Sequence, residues 1–110
     1  MSFMTNFRRG DVVLVDLGMA AKVRPAVVVS VSNPDRHRSM AVVVPMTTEI
    51  RSGECEVNFP KPSWLKQPCV VNLLGIAGVD TSRIERVLGG FPAKPMQEVS
   101  QGLIRLLGLK

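Results

Sequence analysis

The sequence is poor in the residues that build metal and redox centres. Its 110 residues include one histidine and two cysteines, Cys55 and Cys69, which are too far apart for a zinc or redox motif. Its four aspartates are scattered and form no magnesium motif: Asp11, Asp16, Asp35 and Asp80. We therefore expect no metal and no cofactor, and the low cysteine content favours a reducing compartment in which both thiols stay free.

Long apolar runs are also missing from the sequence. No segment reaches the length of uninterrupted apolar residues that a membrane helix requires. Residues 1–11 contain no apolar core long enough for a signal peptide. The sequence therefore predicts a cytoplasmic protein without a membrane segment.

The composition is that of a globular protein with a basic surface. Hydrophobic residues make up 45% and charged residues 21%, and we expect residues 1–110 to form one domain. Fourteen Lys and Arg against nine Asp and Glu give a net charge of +5, which favours a polyanionic partner. Because the charges are not concentrated in one block, a solvated basic surface explains them equally well.

Short valine-rich segments separated by turn residues predict a mainly β protein. The "PAVVV" run after Arg24 is typical of a strand that is buried on both faces. Strands are predicted over 11–17, 24–32, 40–47, 54–59, 69–76 and 85–91, with the first two paired antiparallel. Pro45 suggests an edge or a bulge in the third strand. Apolar residues at helical spacing predict a helix over 95–107, with Pro95 in its first turn and Gly102 as a weak point: Met96, Val99, Leu103, Leu106 and Leu107.

Six pieces of the sequence, taken in order, resemble one known family. They are "RRGDVVLVDLG", "VRPAVVVS", "VVVPMT", "LKQPCVVN", "VDTSR" and "LIRLLGL". Together they resemble the MazF/PemK toxins of bacterial toxin–antitoxin systems, which are sequence-specific endoribonucleases. The resemblance implies a mainly β fold with a C-terminal helix (α+β), a strongly twisted antiparallel sheet of SH3-like barrel character, and a homodimer that binds RNA across its interface.

The resemblance places two catalytic residues at Arg24 and Thr47. It implies metal-independent cleavage in which the ribose 2′-hydroxyl attacks the adjacent phosphate and leaves a cyclic phosphate and a free 5′-hydroxyl. A guanidinium can fork across two phosphoryl oxygens and oppose the charge that builds in the transition state, and a threonine hydroxyl can donate to another oxygen. Purely structural alternatives remain open: an ion pair of Arg24 with Asp16, and a strand-end Thr47 bonded to the backbone.

Candidates for RNA binding lie near the predicted second strand. Arg36, His37 and Arg38 fall in a charged loop that could grip phosphates, and Lys22 precedes the Arg-Pro pair. A surface histidine and ordinary solvated charges explain the same residues. We therefore expect these four side chains to be exposed, with or without a role in binding.

The "VDTSR" element carries two more RNA-binding candidates and a departure from the family pattern. Asp80 could cap a turn and Arg83 could pair with it, and we favour the structural explanation for Asp80. Family members usually carry Gln-x-Arg just before this element, and that arginine assists catalysis or RNA binding in some of them. Here the aligned residues are Gly75, Ile76 and Ala77, so that positive charge is missing.

The resemblance implies two partners, single-stranded RNA and a small MazE-like antitoxin whose disordered tail occupies the RNA groove. Two alternative functions remain. One is a family member that has lost cleavage and acts as an RNA- or protein-binding module, for which residues 75–77 are the best evidence. The other is a CcdB-like gyrase poison, which shares the architecture but depends on a C-terminal Trp-Gly-Ile, whereas this chain ends Leu109-Lys110.

Overall fold

Seven strands and one α-helix follow one another along the chain in the computed structural model, which describes residues 6–18, 23–31 and 39–109. The strands are β1 (Asp11–Asp16), β2 (Val23–Val28), β3 (Met40–Thr47), β4 (Glu56–Val57), β5 (Val70–Asn72), β6 (Ala77–Asp80) and β7 (Ile84–Gly90). The helix α1 spans Ala93–Leu107. Two short 3₁₀ turns, Leu73–Gly75 and Thr81–Arg83, stand on either side of β6.

The strands form one antiparallel sheet in the order β4-β5-β3-β2-β1-β7, with β6 also paired to β3. Strand β6 pairs with β3 and strand β7 pairs with β1, so they lie at opposite edges of the three neighbouring strands β3, β2 and β1. Only three residues connect β6 to β7. The sheet must therefore curl strongly, because so short a turn brings its two sides together. The predicted twisted sheet with a C-terminal helix is confirmed. Closure into an SH3-like barrel stays a prediction, since no ladder joins β6 to β7 within the described residues.

Valine-rich strands bury both faces of the sheet, as the "PAVVV" run predicted. Successive strand residues point to opposite faces, so each run supplies two cores. The helix-side core lies under α1 and includes Val12, Val27, Val44, Met46, Leu73, Met96 and Val99. The open-side core lies on the other face and includes Val13, Val15, Ala26, Val28, Ala41 and Val43.

The helix α1 covers the first of these cores and confirms the predicted element. It begins two residues earlier than predicted, which keeps Pro95 in the first turn. It ends at Leu107 as predicted, and Gly108, with a φ of 69°, caps it. Met96 and Val99 are buried, whereas Leu107 is 50% exposed although it falls on the same helical spacing. Gly102 allows close packing, since a Cβ there would meet Leu73 Cδ1 at 2.4 Å.

Of the two predicted explanations for Pro45, an edge or a bulge, the edge is wrong. Pro45 lies in β3 at the centre of the sheet and pairs with Ala26 on the β2 side. On its other side, the β6 ladder ends at Val43 and the β5 ladder begins at Met46. The proline falls at the change of partner, where β3 needs no N–H donor from that residue.

Three predicted strands are shorter in the structure because side chains and turns interrupt their ladders. The second strand ends at Val28, since the next two N–H groups, of Val29 and Ser30, both donate to the Val42 carbonyl. The stretch 69–76 leaves strand geometry at Asn72, whose Oδ1 accepts the N–H of Leu74 and starts a 3₁₀ turn. The predicted strand 54–59 is reduced to Glu56–Val57.

Candidate active site

Strand register brings Arg24 and Thr47 together on one face of the sheet. The β2–β3 ladder has Ala26 opposite Pro45 as its last pair. Arg24 and Thr47 each lie two residues beyond that pair, at the same end of the two strands. Arg24 also lies directly opposite Val15 of β1, a residue of the open-side core. Both candidate residues therefore stand at the end of β2 and β3 that borders the open-side core, on the face away from α1.

Arg24 carries a buried hydrogen-bond donor that the protein leaves unused. Its Nε is fully buried and has no hydrogen-bond partner. The alternative ion pair with Asp16 does not form in the structure, where Asp16 Oδ1 accepts the N–H of Gly18 at 2.8 Å. A buried donor without a partner costs about 1–3 kcal/mol, and no hydrogen bond within the described residues offsets this cost at Arg24 Nε.

Thr47 ends β3 with its hydroxyl only partly used. Its Oγ1 accepts the backbone N–H of Glu49 at 3.0 Å, which is the structural role that the sequence left open. Accepting this bond occupies a lone pair and leaves the hydroxyl proton free. The side chain can therefore brace the following loop and donate a hydrogen bond at the same time.

A cavity of about 490 Å³ opens beside Thr47. Its wall includes Glu49, Arg51, Glu56 and Asn72. The loop that follows β3 is held in place by Glu56, whose carboxylate accepts the N–H groups of Arg51 and Ser52 at 2.8–3.2 Å. Sequence reasoning missed this loop, although the run "TTEIRSGE" directly after Thr47 was a usable signal of charge beside the site.

Within that loop, Glu49 and Arg51 form an exposed ion pair at the mouth of the cavity. The hydrogen bond and the charge of Arg51 hold the pKa of Glu49 below the ordinary value of a glutamate, and the positive charge of Arg24 adds to this effect. The effect of Arg24 is the smallest of these, so Arg51 is the main partner of the Glu49 carboxylate beside Thr47.

Comparison with known proteins decides the family. A family model described as "PemK-like, MazF-like toxin of type II toxin-antitoxin system" matches residues 8–107. The chain belongs to this toxin family. No curated protein sequence matches the chain.

Solved structures of PemK/MazF-type toxins have the same fold as this family member. A chain of the MazE-MazF complex from Deinococcus radiodurans is 25% identical, with 97% of this chain and 98% of that chain covered and a TM-score of 0.75. An endoribonuclease from a mycobacterial species, solved in complex with its cognate antitoxin, is 28% identical over 96% and 98% of the two chains with a TM-score of 0.78. The Mycobacterium tuberculosis toxin MazF-mt6 also has a TM-score of 0.78, over 91% and 98% of the two chains, and at 21% identity it shows the fold alone.

Two of the family-derived RNA-binding candidates, Asp80 and Arg83, lie around the turn between β6 and β7. Asp80 Oδ1 accepts the backbone N–H of Ser82 at 2.9 Å and caps the turn, and this bonding with Ser82 holds the pKa of Asp80 below its usual value. Asp80 pairs with Met40, at the opposite end of β3 from Thr47. Arg83 packs against Gly18 after β1. The structure therefore does not bring Asp80 to the Arg24–Thr47 pair within one protomer.

Four other candidates, Lys22, Arg36, His37 and Arg38, lie outside the described residues, and their roles stay predictions. Among the described residues, no three His, Cys, Asp or Glu side chains come close enough to hold a metal ion. In the same part of the chain, no helix is both long and apolar enough to cross a membrane.

The Gly75 position, where the toxin family usually has glutamine, is fixed by packing in this chain. A Cβ added at Gly75 would meet the Pro45 ring at 2.6 and 3.0 Å. A proline ring cannot swing aside as a long side chain can, so the backbone would have to shift. Residue 75 is thus glycine because β3 and the 3₁₀ turn approach each other closely here.

Gly75→Ala is expected to lower the free energy of unfolding by about 1–3 kcal/mol, the usual cost of overpacking. The matched control is Gly90→Ala, because nothing lies within 4 Å of a Cβ at Gly90 and its φ is not positive. Urea denaturation of both variants measures the difference. Equal midpoints for Gly75→Ala and wild type would contradict the packing explanation.

Proposed function

We propose that this toxin is a sequence-specific, metal-independent endoribonuclease that cleaves single-stranded RNA. The observation that carries the proposal is the buried Nε of Arg24, which lacks a hydrogen-bond partner. The Thr47 hydroxyl accepts one backbone N–H and keeps its own proton for a further acceptor. A phosphate is the natural acceptor for such a guanidinium, since planar forked donors match two phosphoryl oxygens. In the cytoplasm, where we expect the protein to act, RNA is an abundant phosphodiester substrate.

The proposed reaction begins with attack of the ribose 2′-oxygen on the adjacent phosphorus. Negative charge then accumulates on the phosphoryl oxygens, and Arg24 opposes it from a partly buried site where charges are weakly screened. The Thr47 hydroxyl donates to one of the same oxygens. Loss of the 5′-oxygen leaves a 2′,3′-cyclic phosphate and a 5′-hydroxyl, and neither residue needs a metal ion for its part.

Thr47→Val is expected to slow cleavage about 10- to 150-fold, because a hydrogen bond to a charged phosphoryl oxygen, worth about 1.5–3 kcal/mol, is lost from the transition state. The variant keeps the shape of the side chain but removes both the donor and the acceptor of the Glu49 N–H. Thr47→Ser restores both and should cut at close to the wild-type rate. Single-turnover rates on a short RNA check the pair, and equal rates for Thr47→Val and wild type would remove Thr47 from the site.

We further propose that the protein works as a homodimer that a MazE-like antitoxin inhibits. The D. radiodurans relative was solved as a MazE-MazF complex, and the mycobacterial endoribonuclease was solved in complex with its cognate antitoxin. Exposed apolar side chains at the end of α1, Ile104, Leu107 and Leu109, are of the kind that a second copy would bury. The net charge of +5 suits both RNA and an acidic antitoxin tail.

A second candidate function is an RNA-binding module without cleavage. The Gly75-Ile76-Ala77 segment favours it, because the family's second arginine is absent. Primer extension on a long unstructured RNA, incubated with the protein in EDTA, separates the two. Stops at one short repeated motif support the nuclease, whereas bound RNA that stays intact supports the binding module.

A further inference from the structure

The proposed reaction needs a group that accepts the 2′-hydroxyl proton, and neither Arg24 nor Thr47 can supply it. Arginine stays protonated in proteins, and a neutral hydroxyl is a very weak base. We propose that Glu49 is the general base of this site and that Arg51 is the residue that positions it. The inference rests on the proposed ribonuclease function and assigns a base that the sequence did not reveal.

The backbone ties Glu49 directly to Thr47. Its N–H donates to Thr47 Oγ1 at 3.0 Å, which fixes the backbone of Glu49 beside the Thr47 hydroxyl. Thr47, Glu49 and Arg51 are alternate residues of one segment, and all three line the same cavity. A phosphodiester that accepts the Thr47 hydroxyl therefore lies at the cavity whose wall includes Glu49.

Other carboxylates at the cavity are less suited to the role. Both oxygens of Glu56 are engaged by the N–H groups of the loop that it holds. Glu54 also lines the cavity, but within the described residues no hydrogen bond ties it to Thr47. Glu49 is the carboxylate that is both tied to the site and open to solvent, with 70% of its side chain exposed.

The charges around Glu49 keep it ionised at neutral pH. Arg51 in its own loop and, more weakly, Arg24 from β2 favour the carboxylate, while desolvation opposes it. The other carboxylates that line the cavity are Glu54 and Glu56. The arginines prevail, since the pKa of Glu49 lies below its ordinary value. A bound phosphate adds negative charge and raises this pKa again, which makes the carboxylate a better proton acceptor in the complex than in the free protein.

The proton balance of the step is simple. Glu49 takes the 2′-hydroxyl proton while the 2′-oxygen forms its bond to phosphorus. The bond from phosphorus to the 5′-oxygen breaks, and the departing oxygen takes a proton from solvent water. Glu49 then returns its proton to the resulting hydroxide, so the products are the cyclic phosphate and the 5′-hydroxyl with no net proton change.

The test is the pH–rate profile of Glu49→Gln, with Glu98→Gln on the exposed face of α1 as the matched control. Glutamine keeps the backbone bond to Thr47, so the denaturation midpoint should not change. We expect kcat to fall at least about 100-fold with little change in KM, and the acid limb of the profile to disappear. In wild type and Glu98→Gln, that limb should lie at higher pH for kcat than for kcat/KM, because kcat reports the complex.

Arg51→Met tests the positioning role separately. Removing the cation that lowers the pKa of Glu49 should move the acid limb to higher pH, and an unmoved limb would overturn the role of Arg51. Suppose that wild type cuts RNA and Arg24→Ala does not. If Glu49→Gln then cuts at the wild-type rate with its acid limb intact, the assignment of Glu49 as the base fails, whereas the proposed ribonuclease function stands. If wild type itself does not cut RNA, both fail together.

Discussion

Arg24→Ala is expected to slow RNA cleavage by about 1000-fold or more without lowering the stability of the protein. An arginine that opposes transition-state charge in phosphoryl transfer is worth about 10³–10⁵ in rate. The buried Nε has no partner in the free protein, so its removal relieves a desolvation cost instead of breaking a bond. The single-turnover cleavage rate should therefore fall, while the midpoint of thermal denaturation, measured on the same preparation, should stay the same or rise.

Two controls sharpen this expectation. Arg86→Ala removes an exposed arginine from β7, which β1 separates from β2, and should leave both quantities unchanged. Arg24→Lys keeps the positive charge but loses the paired N–H donors of the planar guanidinium, so it should recover only a small part of the activity. A clear loss of stability in Arg24→Ala, together with retained cutting, would mean that Arg24 is a structural residue.

Leu73→Ala is expected to destabilise the fold by about 2–5 kcal/mol, the usual cost of emptying a buried leucine site. Leu73 is 1% exposed, packs against Gly102 of α1, and donates its N–H to the Cys55 carbonyl. It thus joins the helix to the segment that forms one wall of the cavity. The loss should appear as a lower midpoint in urea denaturation.

The neighbouring residue provides the matched control for this prediction. Leu74 belongs to the same 3₁₀ turn but is 66% exposed, so Leu74→Ala removes the same atoms and should cost far less. Leu103→Ala and Leu106→Ala should fall between the two, because both side chains are only partly buried against the helix-side core. Equal destabilisation at 73 and 74 would contradict the described packing of the turn.

The sequence predicts the central strands well because their valines leave little choice of structure. The predicted bounds of β3 are those observed, and β1 and β2 pair antiparallel as expected. Helix α1 is similarly clear from its spacing. These elements are stabilised by burial of apolar side chains, and the spacing of apolar residues along the sequence shows which side chains are buried.

Tertiary contacts explain what the sequence alone could not predict. Nothing local shows that Pro45 falls where β3 changes partners, or that Gly75 is glycine because the Pro45 ring lies against it. The family resemblance identified Arg24 and Thr47 as candidate residues. It could not show that Arg24 Nε lacks a hydrogen-bond partner while Asp16 bonds to the backbone of Gly18. Glu49 and Arg51 were overlooked because strand-end loops carry no periodic signal.

The central claim is that the Arg24–Thr47 site directs attack of a ribose 2′-hydroxyl on its own phosphate. The most direct measurement is mass spectrometry of the fragment ends that the wild-type protein forms from a short unstructured RNA in EDTA. We predict 2′,3′-cyclic phosphates on the upstream fragments and 5′-hydroxyls on the downstream ones, and no cutting where the nucleotide before the bond is 2′-deoxy. Fragments with 3′-hydroxyl and 5′-phosphate ends, or RNA that remains intact, would contradict the account.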